Sequence, residues 1–136
     1  MLTRGRVLQG SALHAAMMEA VSRNEYDLSD YEEEMGADDP HLLRVELQEF
    51  GYWVITTAWD LQAEFGPFHQ ETGEPEAEWK VRTAAELRDR LPLSQALFEA
   101  TVACTMVAPN PETMRALKAF ERPECFSEGS DDDDEE

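Results

Sequence analysis

Apolar residues recur between positions 39 and 66 at Leu43, Leu47, Phe50, Val54, Ala58, Leu61 and Phe65. The steps alternate between three and four, the period of one α-helical face. Asp39 is placed to cap the start, Pro40 suits a first helical position, and Gly66-Pro67 supplies a stop. A long central helix is therefore expected. Its weak point is Tyr52-Trp53-Val54-Ile55-Thr56-Thr57, a strand-favouring run. The face continues on both sides of that run, which decides for helix. Gly51 is expected to admit a neighbouring helix, to bend the helix or to divide it in two.

The same period predicts the flanking helices. Residues 6–23 place Val7, Leu8, Leu13, Met17, Ala20 and Val21 on one face, unless Gly10 delays the start and Ser11 caps the helix instead. Ser29 and Glu32 have capping-box spacing, so Asp30 to Met35 reads as a short helix closed by Gly36. Residues 66–75 read as a Gly/Pro loop. A helix is then expected from Pro75 or Glu76 to Leu91, with Trp79, Val81, Ala84, Leu87 and Leu91 inward and Glu78–Arg82 and Glu86–Arg90 as i,i+4 pairs. Ser94 to Val107 is the least charged segment and is expected at the centre of the core. Asn110-Pro111 starts a last helix, with Met114, Leu117 and Phe120 inward. The predicted fold is all-α: a single-domain irregular bundle of about five helices over 1–126, with a disordered acidic tail over 127–136.

Charge changes this picture more than composition does. The 136 residues carry 30 acids and 11 bases, a formal net charge of −19. Such a balance argues against direct nucleic-acid binding and against a membrane surface, because phosphate needs Lys and Arg. It favours a protein partner with a basic surface. No apolar run approaches the roughly 20 residues of a membrane span, and the N-terminal apolar stretch is too interrupted for a signal peptide. A cytoplasmic protein is expected. Self-association into a homo-oligomer remains open. The acids cluster: residues 25–39 hold eight acids and no base, and residues 128–136 hold seven acids and no base.

Catalytic and metal motifs are sparse. His14, His41 and His69 have no His or Cys at ligand spacing, and no C-x-x-C, H-E-x-x-H or calcium-loop order occurs. Cys104 and Cys125 read as reduced thiols, Cys104 with apolar neighbours that do not activate it. Glu76, Glu78 and Glu86 could serve an acid–base enzyme, but among 30 acids such spacings arise by chance. The expectation is a non-enzyme with no catalytic residues, no metal and no cofactor.

Two leads for function remain. The acids Glu25, Asp27, Asp30, Glu32, Glu33, Glu34, Asp38 and Asp39 could imitate the phosphate row of a nucleic acid and occupy a basic groove on an enzyme, as an anti-defence or transcription inhibitor would. The plain reading of the same cluster is a solubilising surface. The second lead is aromatic. Phe50, Tyr52 and Trp53 cannot all point inward from one helix, since consecutive positions differ by about 100°. Tyr52 or Trp53 is therefore expected at the surface as an interface anchor. That contact would suit a helical adaptor, or a chaperone of a virus-like structural assembly.

Overall fold

The computed structural model describes residues 10–66 and 78–120. It is all-α, and among those residues there is no strand. The helices are α1 (Ala12–Ser22), α2 (Ser29–Met35), α3 (Leu42–Ala58), α4 (Gln62–Phe65), α5 (Ala84–Arg90), α6 (Pro92–Ala100), α7 (Val102–Thr105) and α8 (Pro111–Phe120). The chain divides into two compact units, Met1–Met106 and Val107–Glu136. Among the described residues, no helix is long and apolar enough to cross a membrane.

In the first unit, α1 packs on α3 and α6, α3 on α5 and α6, and α2 on α3. Ser11 caps α1, its hydroxyl accepting from His14 N at 3.1 Å, so the helix starts late, past Gly10. Asn24, with φ 60°, ends its last turn. Ala16, Met17 and Ala20 are buried, and Ser94 of α6 is buried as well. The small Ala16, Ala20 and Ser94 suit a close approach of packed helices, and Met17 fills the core beside them.

The strand-favouring run is helical: α3 continues from Leu42 through Gly51 to Ala58. Gly51 does not divide it, and a Cβ added there would meet nothing within 4 Å. Gly51→Ala should therefore raise stability by about 0.5–1 kcal/mol through helix propensity alone. Urea denaturation followed by circular dichroism reads this directly.

Asp60, with φ 56°, breaks the long apolar face where continuation to Gly66 was expected. Its carboxylate accepts from Ala84 N at 2.7 Å, so the break ties the end of α3 to the start of α5. The expected capping box at Ser29 is also replaced. Asp27 Oδ1 accepts from Ser29 N at 2.9 Å, and Gly36, with φ 91°, closes α2. Asp39 Oδ1 accepts from His41 N at 2.8 Å just ahead of α3.

Two larger corrections concern the second half of the unit. Residues 78–83 are not helical. Trp79 forms an isolated antiparallel bridge with Tyr26, supported by Asp27 N to Glu78 O at 2.8 Å and Lys80 N to Glu25 O at 3.0 Å. Trp79 and Val81 are fully buried while Lys80 and Arg82 are only partly covered, which is the two-residue alternation of extended chain. The expected Glu78–Arg82 helical pair is thus lost, whereas Glu86–Arg90 forms at 3.8 Å. Helix α5 starts at Thr83, whose hydroxyl accepts from Glu86 N at 3.1 Å. The signal was Thr83 followed three residues later by Glu86.

The segment Ser94 to Val107 is not central. It breaks at Thr101, and of α6 and α7 only Ser94 is buried. Leu97, Phe98 and Val102 are half-buried, Cys104 is exposed, and Leu93 and Met106 are 47% and 54% exposed. Low charge there marks a peripheral apolar surface, because burial depends on which helices cover a face and not on its composition.

The core of the unit is aromatic. Tyr26, Phe50 and Trp79 are buried with ring centroids 5.6–6.0 Å apart, and Trp53 stacks on Trp79 at 6.1 Å and 14°. Trp79 Nε1–H donates to Thr57 Oγ1 at 3.0 Å, and Tyr26 OH donates to Glu46 O at 3.0 Å. Every buried ring donor in this set has an acceptor, as a dry core requires.

In the second unit, Asn110 starts α8 as its sequence predicts, with Oδ1 accepting from Glu112 N at 2.8 Å. Leu117 is 58% exposed and Met114 half-buried, so Leu117 does not point inward as expected, and the side chain of Phe120 lies outside the described residues. The expectations for Val7, Leu8, the loop after Gly66, His69, Glu76, Pro123, Cys125 and the acidic tail lie outside the described residues.

Candidate functional site

The acidic run between residues 25 and 39 becomes α2 and the turns on either side of it. Helix α2 has no buried residue. Asp30, Glu32, Glu33, Glu34 and Asp38 are exposed, and Asp39 is partly covered. Asp30 and Glu32 lie in the first turn, where the helix dipole favours negative charge. Between residues 25 and 39 there is no base to neutralise this surface.

Four contacts hold the face in place. Tyr31 OH donates to Glu78 Oε1, and Trp53 Nε1–H donates to the same oxygen at 3.1 Å. Glu78 therefore joins α2 to α3 through one carboxylate. Asp27 fixes the entry to α2 through Ser29 N, and these hydrogen bonds hold its carboxyl below the usual carboxylate range. The bridge between Tyr26 and Trp79 anchors the chain just before it. Burial, with the negative charge of Glu78 nearby, raises the Tyr26 phenol. Burial and the hydrogen bond to Glu78 raise that of Tyr31. Both stay protonated and able to donate at neutral pH.

The predicted contact residues do not all reach this surface. Glu25 is half-buried and pairs with Arg90 at 3.7 Å, so much of its charge is met within the fold. Trp53 is 6% exposed and belongs to the core, which removes it from the expected contact set. Its ring fills the space between α3 and Trp79, and its one polar atom is bonded to Glu78. Tyr52 is the aromatic residue that emerges, at 50% exposure, with its ring edge-on to Trp53 at 5.2 Å.

Glu46 is a residue that sequence spacing did not single out. It lies on α3 and is 6% exposed. Burial, and then the negative charge of Glu32, raise its carboxyl above the ordinary value. The sign of the consequence follows from linkage. A carboxyl whose folded pKa is raised binds more protons in the folded chain, so stability falls as pH rises from the ordinary value of 4.5 through the raised one. Glu46→Gln should thus raise the thermal midpoint at pH 7 and lose that advantage below about pH 4. Glu32→Gln should act in the same direction and less strongly. Melting curves across pH 3–8 test both.

A second feature is an apolar groove of about 330 Å³. Helix α1 contributes Leu13 and α3 contributes Gly51, Val54 and Ile55. Leu97 and Phe98 of α6 form the opposite wall, with Thr101 and Val102 beyond them. The Phe98 ring meets Trp59 edge-on at 6.3 Å. Leu97, Phe98 and Val102 belong to the segment Ser94 to Val107 that the sequence places in the core. Which side of that segment stayed open was not visible there. Among the described residues, no group of three or more His, Cys, Asp or Glu side chains is placed to hold a metal ion. Compared with protein-family models, curated proteins and solved structures, the chain matches none.

Proposed function

We propose that this protein acts by binding another protein, without turnover, and that the carboxylate face of α2 docks on a basic surface of the partner. The single observation that supports this most is the exposure of Asp30, Glu32, Glu33, Glu34 and Asp38 on one short helix and its following turn. Random acidic decoration of a surface needs no such anchoring, but α2 is held to the core through Tyr31, Glu78 and the Tyr26–Trp79 bridge. A fixed row of carboxylates can meet the cations that a partner keeps for phosphates. The sharpest form of the reading is an inhibitor that fills the nucleic-acid-binding surface of an enzyme, of the anti-defence or transcription-inhibitor kind. The test is to capture the partner from the native cells and titrate the purified complex with salt. Affinity should fall at least ~10-fold between about 50 and 200 mM salt, and nucleic acid should compete. A salt-insensitive complex rules this reading out.

A helical adaptor or assembly chaperone is the second reading. The exposure of Tyr52, and separately the apolar groove lined by α1, α3 and α6, favour it. In that case the acids serve solubility and the contact is apolar.

A further inference from the structure

We propose that residues 28–35 form a strap that opens away from α3 while the rest of the unit stays folded, and that the Glu78 carboxylate is the latch that keeps it shut. The inference concerns the free chain and stands whether or not α2 is the docking face.

The strap is lightly seated. Helix α2 has no buried residue, and its 7 residues fall short of the ~12–15 at which a helix holds by itself in water. Leu28 and Tyr31 lean on the core, both only partly buried. Burying little apolar surface leaves little free energy to oppose local opening. The segment also has a place to turn at each end. Before it, Asp27 N donates to Glu78 O at 2.8 Å, which pins the chain where the strap begins. After it, Gly36 takes φ 91°, a conformation that favours glycine, and a Cβ there would meet nothing within 4 Å. Residues at the ends of an element are the ones that absorb the backbone change of a hinge.

The latch is a single atom. Among the described residues, Tyr31 is the one side chain of the strap that hydrogen-bonds to another element, and its hydroxyl donates to Glu78 Oε1. The same oxygen accepts from Trp53 Nε1–H at 3.1 Å. Trp53 is buried and stacked on Trp79, so the carboxylate is held from the core side whether the strap is shut or open. Opening breaks the bond to Tyr31 and leaves the bond to Trp53 in place. A hydrogen bond to a charged acceptor is roughly twice as strong as a neutral one, which suits a latch made of one contact.

Charge works against the latch. Burial first, and then the charge of Glu32 on the strap, oppose the ionised form of Glu46 on α3. Tyr26, whose hydroxyl donates to Glu46 O, stays neutral and does not relieve that repulsion. Opening separates Glu32 from Glu46. One favourable bond and one repulsion across the same helix pair make a two-state element that a single substitution tips in either direction.

The test is residue-resolved amide hydrogen exchange of the full-length chain, with Glu32 to Gly36 reporting the strap and Phe50 to Val54 reporting α3. Tyr31→Phe removes the donor and keeps the ring. It should speed strap exchange at least ~10-fold more than α3 exchange, the factor expected for one bond to a charged acceptor. Glu46→Gln removes the repulsion and should slow strap exchange. Glu33→Gln, on the strap but outside both contacts, should change it less than ~3-fold. Equal acceleration of the strap and α3 by Tyr31→Phe would make Tyr31 a support of the whole unit and overturn the proposal. So would any ratio below ~10-fold, or a Glu33→Gln effect above ~3-fold. A strap that Glu46→Gln leaves unchanged, or speeds, overturns it as well.

Discussion

Replacing Trp79 by alanine should cost about 3–5 kcal/mol and leave the protein barely folded. A domain of this size has about 5–15 kcal/mol in total. Trp79 is fully buried and touches three other rings: Tyr26 and Phe50 edge-on, Trp53 stacked. Removing it opens a cavity among side chains that sit on α3 and on the chain between α1 and α2. It also leaves Thr57 Oγ1, itself fully buried, without its donor. The bridge to Tyr26 would persist as backbone but lose the ring that packs over it. Trp79→Phe keeps much of the volume and loses only the hydrogen bond and part of the ring, so its cost should be about half as large. Urea denaturation followed by far-ultraviolet circular dichroism distinguishes the two. A loss below about 1 kcal/mol for the alanine variant would show that this aromatic cluster does not hold the unit together.

Reversing Glu32, Glu33 and Glu34 to lysine should weaken the complex with a basic partner by about 2–4 kcal/mol, 30-fold to nearly 1,000-fold. All three are exposed, and none supports the fold through a hydrogen bond or ion pair described above. Thermal stability should therefore hold. The relief of buried Glu46 is offset by the loss of a favourable negative charge from the first turn of α2, so the net change should be small. That combination, binding lost while the melting midpoint is kept, separates an acidic interface from a solubilising surface. If the contact is apolar, through Tyr52 and the groove, the same variant binds within about 3-fold of the natural chain. Tyr52→Ala then carries the loss instead. A triple reversal that leaves binding intact at low salt would move the interface off α2.

Periodicity located the helices where one face is buried by neighbours on one side only. Helices α1, α3 and α5 contain the inward rows that the spacing predicts, such as Ala84 and Leu87, and α8 begins where the Asn110 cap predicts although Leu117 stays exposed, because caps and rows are local properties. It misjudged 78–83, where Trp79 and Val81 fit both a helical and an alternating pattern. Only pairing with Tyr26, more than fifty residues away, resolves such a segment as extended. It also extended α3 past Asp60, whose positive φ is stabilised by a bond to Ala84 N that lies far along the chain.

For the candidate site, the sequence by itself determined the charge. Eight acids without a base between residues 25 and 39 stay on the surface in any compact fold, since unpaired carboxylates resist burial. It also determined that Tyr52 and Trp53 could not share one inward face. Only the tertiary structure decided which of them emerges: Trp53 is drawn in because Trp79 and Glu78 offer its ring a stack and its N–H an acceptor. The same is true of Glu46, buried in the fold, and of the groove that residues of α1, α3 and α6 line beside Gly51. Composition fixes what a residue costs to bury, whereas packing among distant elements fixes whether it is buried at all.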